Sequence, residues 1–151
     1  MTTTATLRPQ AIRGTVPDFI GRIMLAAAAL AALAAVASAV QTVGSTPPDT
    51  FIVETWRVAG LAVFAGLFAL LAYRPRHYAG VWELVIANKL ALTLVAFTAA
   101  PRTTDAGITA IVDGTLTAVL VAAYLLCRGW RAWGRVTSDP MSAGPTGRRP
   151  A

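Results

Sequence analysis

The sequence predicts an all-α, polytopic membrane protein: a bundle of four transmembrane helices with the N and C termini both cytoplasmic. Three observations predict it. Of 151 residues, 56% are hydrophobic and only 13% are charged, where a soluble domain averages about 25% charged. The apolar residues collect into four continuous runs, each of membrane-spanning length. The basic residues sit between and beyond those runs, biased to alternate connections. A single cysteine and the lack of any repeat exclude a disulfide scaffold and a collagen-like chain.

Residues 1–18 form a cytoplasmic N-terminal arm carrying Arg8 and Arg13. The predicted transmembrane domain covers 19–127, with spans at 19–40, 55–73, 80–99 and 107–127. About 20 helical residues cross a hydrocarbon core of roughly 30 Å. The runs must be helices, because lipid offers no partner to backbone N–H and C=O groups, and they are too long and continuous for barrel strands. Between the first two spans, Gly44, Pro47, Pro48 and Asp49 make a turn-rich segment that no helix crosses. Arg74-Pro75-Arg76-His77-Tyr78-Ala79 is a short connection, so the second and third helices are expected to be antiparallel neighbours. Pro101 ends the third span. Residues 128–151 read as a basic interfacial segment and a disordered tail, the latter from Ser138 with Pro140, Pro145 and Pro150.

Orientation follows from the cations. Arg8, Arg13 and Arg22 precede or open the first span, Arg74 and Arg76 lie in the second connection, and Arg128, Arg131 and Arg135 follow the fourth span. The first and third connections offer only Arg57, at a helix edge, and Arg102. The positive-inside rule then places the termini and the Arg74–Arg76 turn in the cytoplasm of a bacterial cell, with the chain multi-pass in the inner (plasma) membrane. The net charge of +6 is this topological signal and not a nucleic-acid footprint. Trp130 and Trp133, interleaved with the three arginines, read as an interfacial anchor. One rival reading concerns the first span. Ala37-Ser38-Ala39 resembles a signal-peptidase site, and cleavage after Ala39 would leave three spans in the same orientation. The arm before it is long and the run is nearer span than signal length.

Ionisable groups inside a membrane are expensive and are candidates for function. Glu83, Lys89 and Asp113 qualify; Arg57 and Asn88 are borderline. Lys89, the sole lysine, lies roughly 13 Å in from the cytoplasmic edge of its span, and Asp113 roughly 9 Å in from the outer edge. Across the core this leaves a vertical gap of roughly 8 Å, much of which a lysine stem can bridge. Lys89 and Asp113 are therefore expected to face each other, with Arg57 as a second cation for Asp113. Such a pair either fixes helix register or forms a proton-linked or anion-binding site, since a buried lysine loses its proton readily. Glu83 sits in the first turn of its helix, where the macrodipole favours a carboxylate, close to Arg74 and Arg76. Thr109, Asp113 and Thr117 make a polar stripe on the fourth span, with Tyr124 seven residues beyond. A row of small residues, Ala110, Gly114, Ala118 and Ala122, runs beside it, and the second span repeats the theme with Ala62 and Gly66. Small residues permit close helix approach, and the threonines can bond their own helix's carbonyls. Together they could instead line a shallow polar pocket between the second, third and fourth helices. No metal site and no cofactor is expected: His77 stands alone, Cys127 is single and reads as inert, and no phosphate loop or nucleophile elbow occurs.

The segment Glu54-Thr55-Trp56-Arg57-Val58-Ala59-Gly60-Leu61, the Arg74-Pro75-Arg76 turn and the polar third span resemble the DoxX-like proteins, small four-helix membrane proteins of bacteria. The resemblance covers about half the chain. It implies a link to redox or stress systems through a partner membrane protein, and it carries over no catalytic residues. The Ala-rich first span and mid-membrane Lys89 do not match a pattern of that family.

Three functions compete. The first is an accessory or scaffold-type subunit that assembles in the lipid bilayer with a second copy or a partner membrane protein. The second is a small proton-coupled transporter. Small multidrug exporters have this size and span count but use a carboxylate in the first helix, which the run 19–40 lacks, so Asp113 would have to serve. The third is an enzyme acting on a lipid or isoprenoid with Glu83 or Asp113 as acid or base, for which no paired catalytic constellation is visible.

Overall fold

The structure, a computed structural model, describes residues 16–101 and 104–136. It is all-helical among those residues. Four long helices, α1 (Val16–Val43), α2 (Phe51–Tyr73), α3 (Val81–Ala99) and α4 (Thr104–Cys127), are followed by a 3-10 turn (Gly129–Ala132) and a single helical turn, α5 (Trp133–Val136). All four are long and apolar enough to cross a membrane, and the architecture is that of a multi-pass membrane protein. Their outward faces carry large apolar side chains: Leu84 and Ile111 are each 72% exposed and Trp56 77%. Surfaces this apolar suit lipid and not water.

The helices overrun the apolar runs at several ends. α1 begins at Val16, with Pro17 in its first turn, where a missing N–H does no harm. It continues through Gln41 and Thr42 to Val43, and Thr42 bonds its own helix at the Ala39 carbonyl, 2.9 Å. α2 starts four residues before Thr55, at Phe51. Gly80 opens α3 with φ +83, a left-handed conformation that glycine adopts without a Cβ clash. Most of the N-terminal arm, and the tail from residue 137, lie outside the described residues.

The alternating course of the chain brings the start of α1, the end of α2, the start of α3 and the end of α4 to one end of the bundle. The core lies in that half. Leu25, Ala28 and Ala29 of α1 pack with Phe68 and Leu71 of α2, Trp82 and Val85 of α3, and Leu120, Ala123 and Cys127 of α4. Leu25, Phe68, Leu71, Leu120, Ala123 and Cys127 are fully excluded from solvent. We call this the sealed end. At the opposite, open end the buried apolar side chains shrink to alanines such as Ala39, Ala96 and Ala110.

The second and third helices are antiparallel but not closely packed neighbours. α1 packs along α2 and α4, and α3 packs along α4, but α2 and α3 make few close contacts despite their short connection. The reason is side-chain size. Alanine-rich α1 allows neighbouring backbones to approach, and Gly114 of α4 admits Thr93 of α3, whose Cγ2 would lie 3.4 Å from a Cβ at that glycine. Between α2 and α3, by contrast, stand Phe64 and Lys89, the ammonium 4.5 Å from the ring centroid. A short turn dictates direction, not separation. Ala62 and Gly66 of α2 face outward and do not serve packing within the bundle, unlike the buried Ala65.

Gly21 shows how tightly the sealed end is packed. A Cβ there would lie 2.6 Å from Cys127 Sγ and 3.3 Å from the Ala123 carbonyl oxygen. Gly→Ala in a helix normally gains about 1 kcal/mol. We expect Gly21→Ala instead to destabilise the protein by about 1–3 kcal/mol through overpacking, and Gly21→Ala with Cys127→Ala to recover most of that loss. Unfolding in mixed micelles checks both; a stabilised single variant would contradict the packing.

Candidate functional site

Two polar clusters sit at different depths. The deeper one is the Lys89–Asp113 pair. Lys89 Nζ donates to Asp113 Oδ1 at 2.9 Å, and the two residues are 6% and 7% exposed. α3 delivers the lysine about 12 Å from its own N-terminus, with its ammonium 4.5 Å from the Phe64 ring centroid. The threonines nearby point their hydroxyls at backbone: Thr93 donates to the Lys89 carbonyl at 2.8 Å and Thr117 to the Asp113 carbonyl at 2.7 Å. Such bonds satisfy a hydroxyl within its own helix and leave the carboxylate to the lysine.

The pair separates two cavities. A lateral cavity of about 490 Å³ between α2, α3 and α4 is walled by Leu61, Phe64, Leu92, Ile108 and Val112, with Gly60 and Thr109 also on its surface, Arg57 at its rim and Lys89 and Asp113 at its base. A second, of about 370 Å³, lies toward α1 and is lined by Ala28, Ala31, Ala32 and Ala35; Lys89 and Asp113 border it too.

Arg57 reaches the first cavity but does not pair with Asp113; its Nη2 lies 2.6 Å from Glu54 Oε2, in an exposed i,i+3 ion pair. A carboxylate one turn away on the same helix needs no chain ordering to be reached. Glu83 forms no ion pair with Arg74 or Arg76. It accepts hydrogen bonds from Tyr124 Oη at 3.2 Å and Trp133 Nε1 at 3.0 Å, while Arg74 stacks over Tyr73. Thr109 is exposed and faces the first cavity; Thr117 lines neither. Asn88, though adjacent to Lys89, is on the exposed face of α3. No group of three or more His, Cys, Asp or Glu among the described residues could hold a metal ion.

The second cluster, at the sealed end, escapes the sequence reading. Asp18 is 3% exposed. Arg22 Nε donates to its Oδ2 at 3.2 Å and Arg76 Nη2 to its Oδ1. Arg76 Nε also donates to the Cys127 carbonyl at 2.8 Å, and Arg22 Nη1 to the Tyr73 carbonyl at 3.0 Å. One carboxylate thus gathers α1, the end of α2, the α2–α3 turn and the end of α4. Around it Trp82 Nε1 donates to the Pro75 carbonyl at 2.7 Å, Tyr124 stacks edge-on against Trp82 and Trp130, and Arg135 meets His77 at 3.0 Å. Trp133, expected as an interfacial anchor, is therefore also a hydrogen-bond donor inside this network. The available signal was an aspartate in a first turn beside Pro17 with an arginine four residues on, a helix-start pattern.

The carboxylate at the centre of this cluster is buried and held by two arginines, which also reach backbone carbonyls. The deeper pair is different, because it borders cavities. Comparison with family models, curated proteins and solved structures finds no match for this chain.

Proposed function

We propose that the chain is a non-enzymatic accessory or scaffold-type subunit of a bacterial inner membrane, oriented with the sealed end and its arginines in the cytoplasm. The observation that carries this reading is the closure of Lys89 on Asp113. The two mid-membrane charges neutralise each other, and no fully buried side-chain nitrogen or oxygen among the described residues lacks a hydrogen-bond partner. Paired in this way, the charges serve registration of α3 on α4, and the broad apolar exterior is left to meet lipid, a second copy or a partner membrane protein. The likeness to DoxX-like proteins points toward the same kind of partner.

In mild detergent the protein is expected to run as an oligomer or with a stoichiometric membrane partner, and the Lys89→Met/Asp113→Leu variant to keep that assembly. A strictly monomeric particle would refute the reading. A second reading, a proton-coupled transporter, is favoured by one feature: Lys89 and Asp113 border cavities on two sides. It requires that the same double variant lose function while remaining assembled, and that substrate release protons from the parent protein.

A further inference from the structure

The lateral cavity between α2, α3 and α4 has a built base and apolar walls. We propose that it binds an uncharged amphiphile bearing a hydroxyl group on a hydrocarbon skeleton, a lipid alcohol, with the hydroxyl on Lys89 and Asp113. The inference goes beyond the assembly reading and does not depend on it.

The sign of the ligand's charge follows from the lining. Three charged residues line it, Arg57, Lys89 and Asp113; Lys89 is neutralised by Asp113 within the cavity, and Arg57 by Glu54, which lies outside the lining. An anion would leave a net negative charge beside Asp113 in a low-dielectric site, and a cation a net positive charge beside Lys89, both costly without a further partner. A neutral molecule meets no such penalty. The need for a hydroxyl follows from unused capacity. An ammonium has three donors and a carboxylate about four acceptor positions, yet among the described residues the pair exchanges one hydrogen bond, onto Oδ1. A ring face, Phe64, takes a second side of the ammonium. What remains is a donor and an acceptor, Lys89 N–H and Asp113 Oδ2, at the base of the same cavity. A hydroxyl accepts from the first and donates to the second. Leu61, Phe64, Leu92, Ile108 and Val112 then enclose the hydrocarbon. The volume, about 490 Å³, falls within the range of small-molecule sites.

The test uses the full chain in nanodiscs and three photoactivatable probes of equal chain length: a diazirine-bearing hexadecanol, the matching hexadecanoate and the matching trimethylammonium amphiphile. The alcohol is expected to label residues of the cavity wall. Excess unlabelled hexadecanol should compete that labelling away, and the two charged probes should label about tenfold less, the discrimination one well-placed hydrogen bond provides. Gly60→Phe, at a position where an added Cβ meets nothing within 4 Å, should fill the cavity and abolish the signal. Ala69→Phe, in a groove between α1 and α2, should leave it intact. Equal labelling by the carboxylate or the ammonium probe would overturn the proposal. So would signal that free hexadecanol does not compete in the parent chain, a result independent of whether either variant folds.

Discussion

Asp113→Leu is expected to destabilise the bundle by about 3 kcal/mol, and adding Lys89→Met is expected to restore most of that loss. The single substitution leaves Lys89, a residue 6% exposed, facing apolar cavity walls and one aromatic ring, with its carboxylate partner gone. Removing one member of a buried pair usually costs about 3–5 kcal/mol, whereas replacing both by apolar side chains of similar volume is often neutral or stabilising. The lower end applies here because a lysine stem can snorkel toward an interface. Steric-trap or detergent unfolding of parent, single variants and double variant completes the cycle. A double variant as unstable as Asp113→Leu would show that the two charges are not energetically coupled.

That pair is accessible to arithmetic on the chain. An ionisable residue inside a span needs a partner, and 1.5 Å of rise per residue brings Lys89 and Asp113 within reach of each other from opposite membrane faces. Arg57 tests the limit of the same arithmetic. Depth alone makes it a partner for Asp113, but Glu54, three residues away on its own helix, takes it at 2.6 Å. Local competitors outrank distant ones of equal charge, and depth does not register them. Asp18 fails for another reason. Hydropathy marks where apolar residues begin, at Phe19, while the helix begins at Val16, so a buried carboxylate reads as part of a solvated arm. Separation is the least legible quantity. Connection length makes α2 and α3 antiparallel, but the sizes of Phe64 and Lys89 hold them apart, and the cavity between them exists only because of that spacing.

Asp18→Ala is expected to open the sealed end. The substitution removes the acceptor of two arginines and leaves two guanidinium groups facing each other with backbone carbonyls as their remaining partners. The two bonds are not equal. Arg22 has a side chain 40% exposed, so its loss is screened and worth well under about 1 kcal/mol. The Arg76 side chain is 27% exposed and the Asp18 side chain only 5%; a charge-assisted bond in that setting contributes about 1.5–3 kcal/mol. The expected loss is therefore about 2 kcal/mol, nearly all of it shared with Arg76, and Asp18→Ala/Arg76→Ala should be strongly non-additive while Asp18→Ala/Arg22→Ala should not. Cys127 reports the same event locally. It is fully buried, and its Sγ lies 3.7 Å from the Asp18 carbonyl oxygen, so a maleimide reaches it only when α1 and α4 part. Because labelling follows the population of the open form when closing is fast, Asp18→Ala should raise the rate at least about tenfold and Arg22→Ala only slightly. Equal labelling rates in the two variants would mean that the carboxylate does not hold the end of the bundle shut.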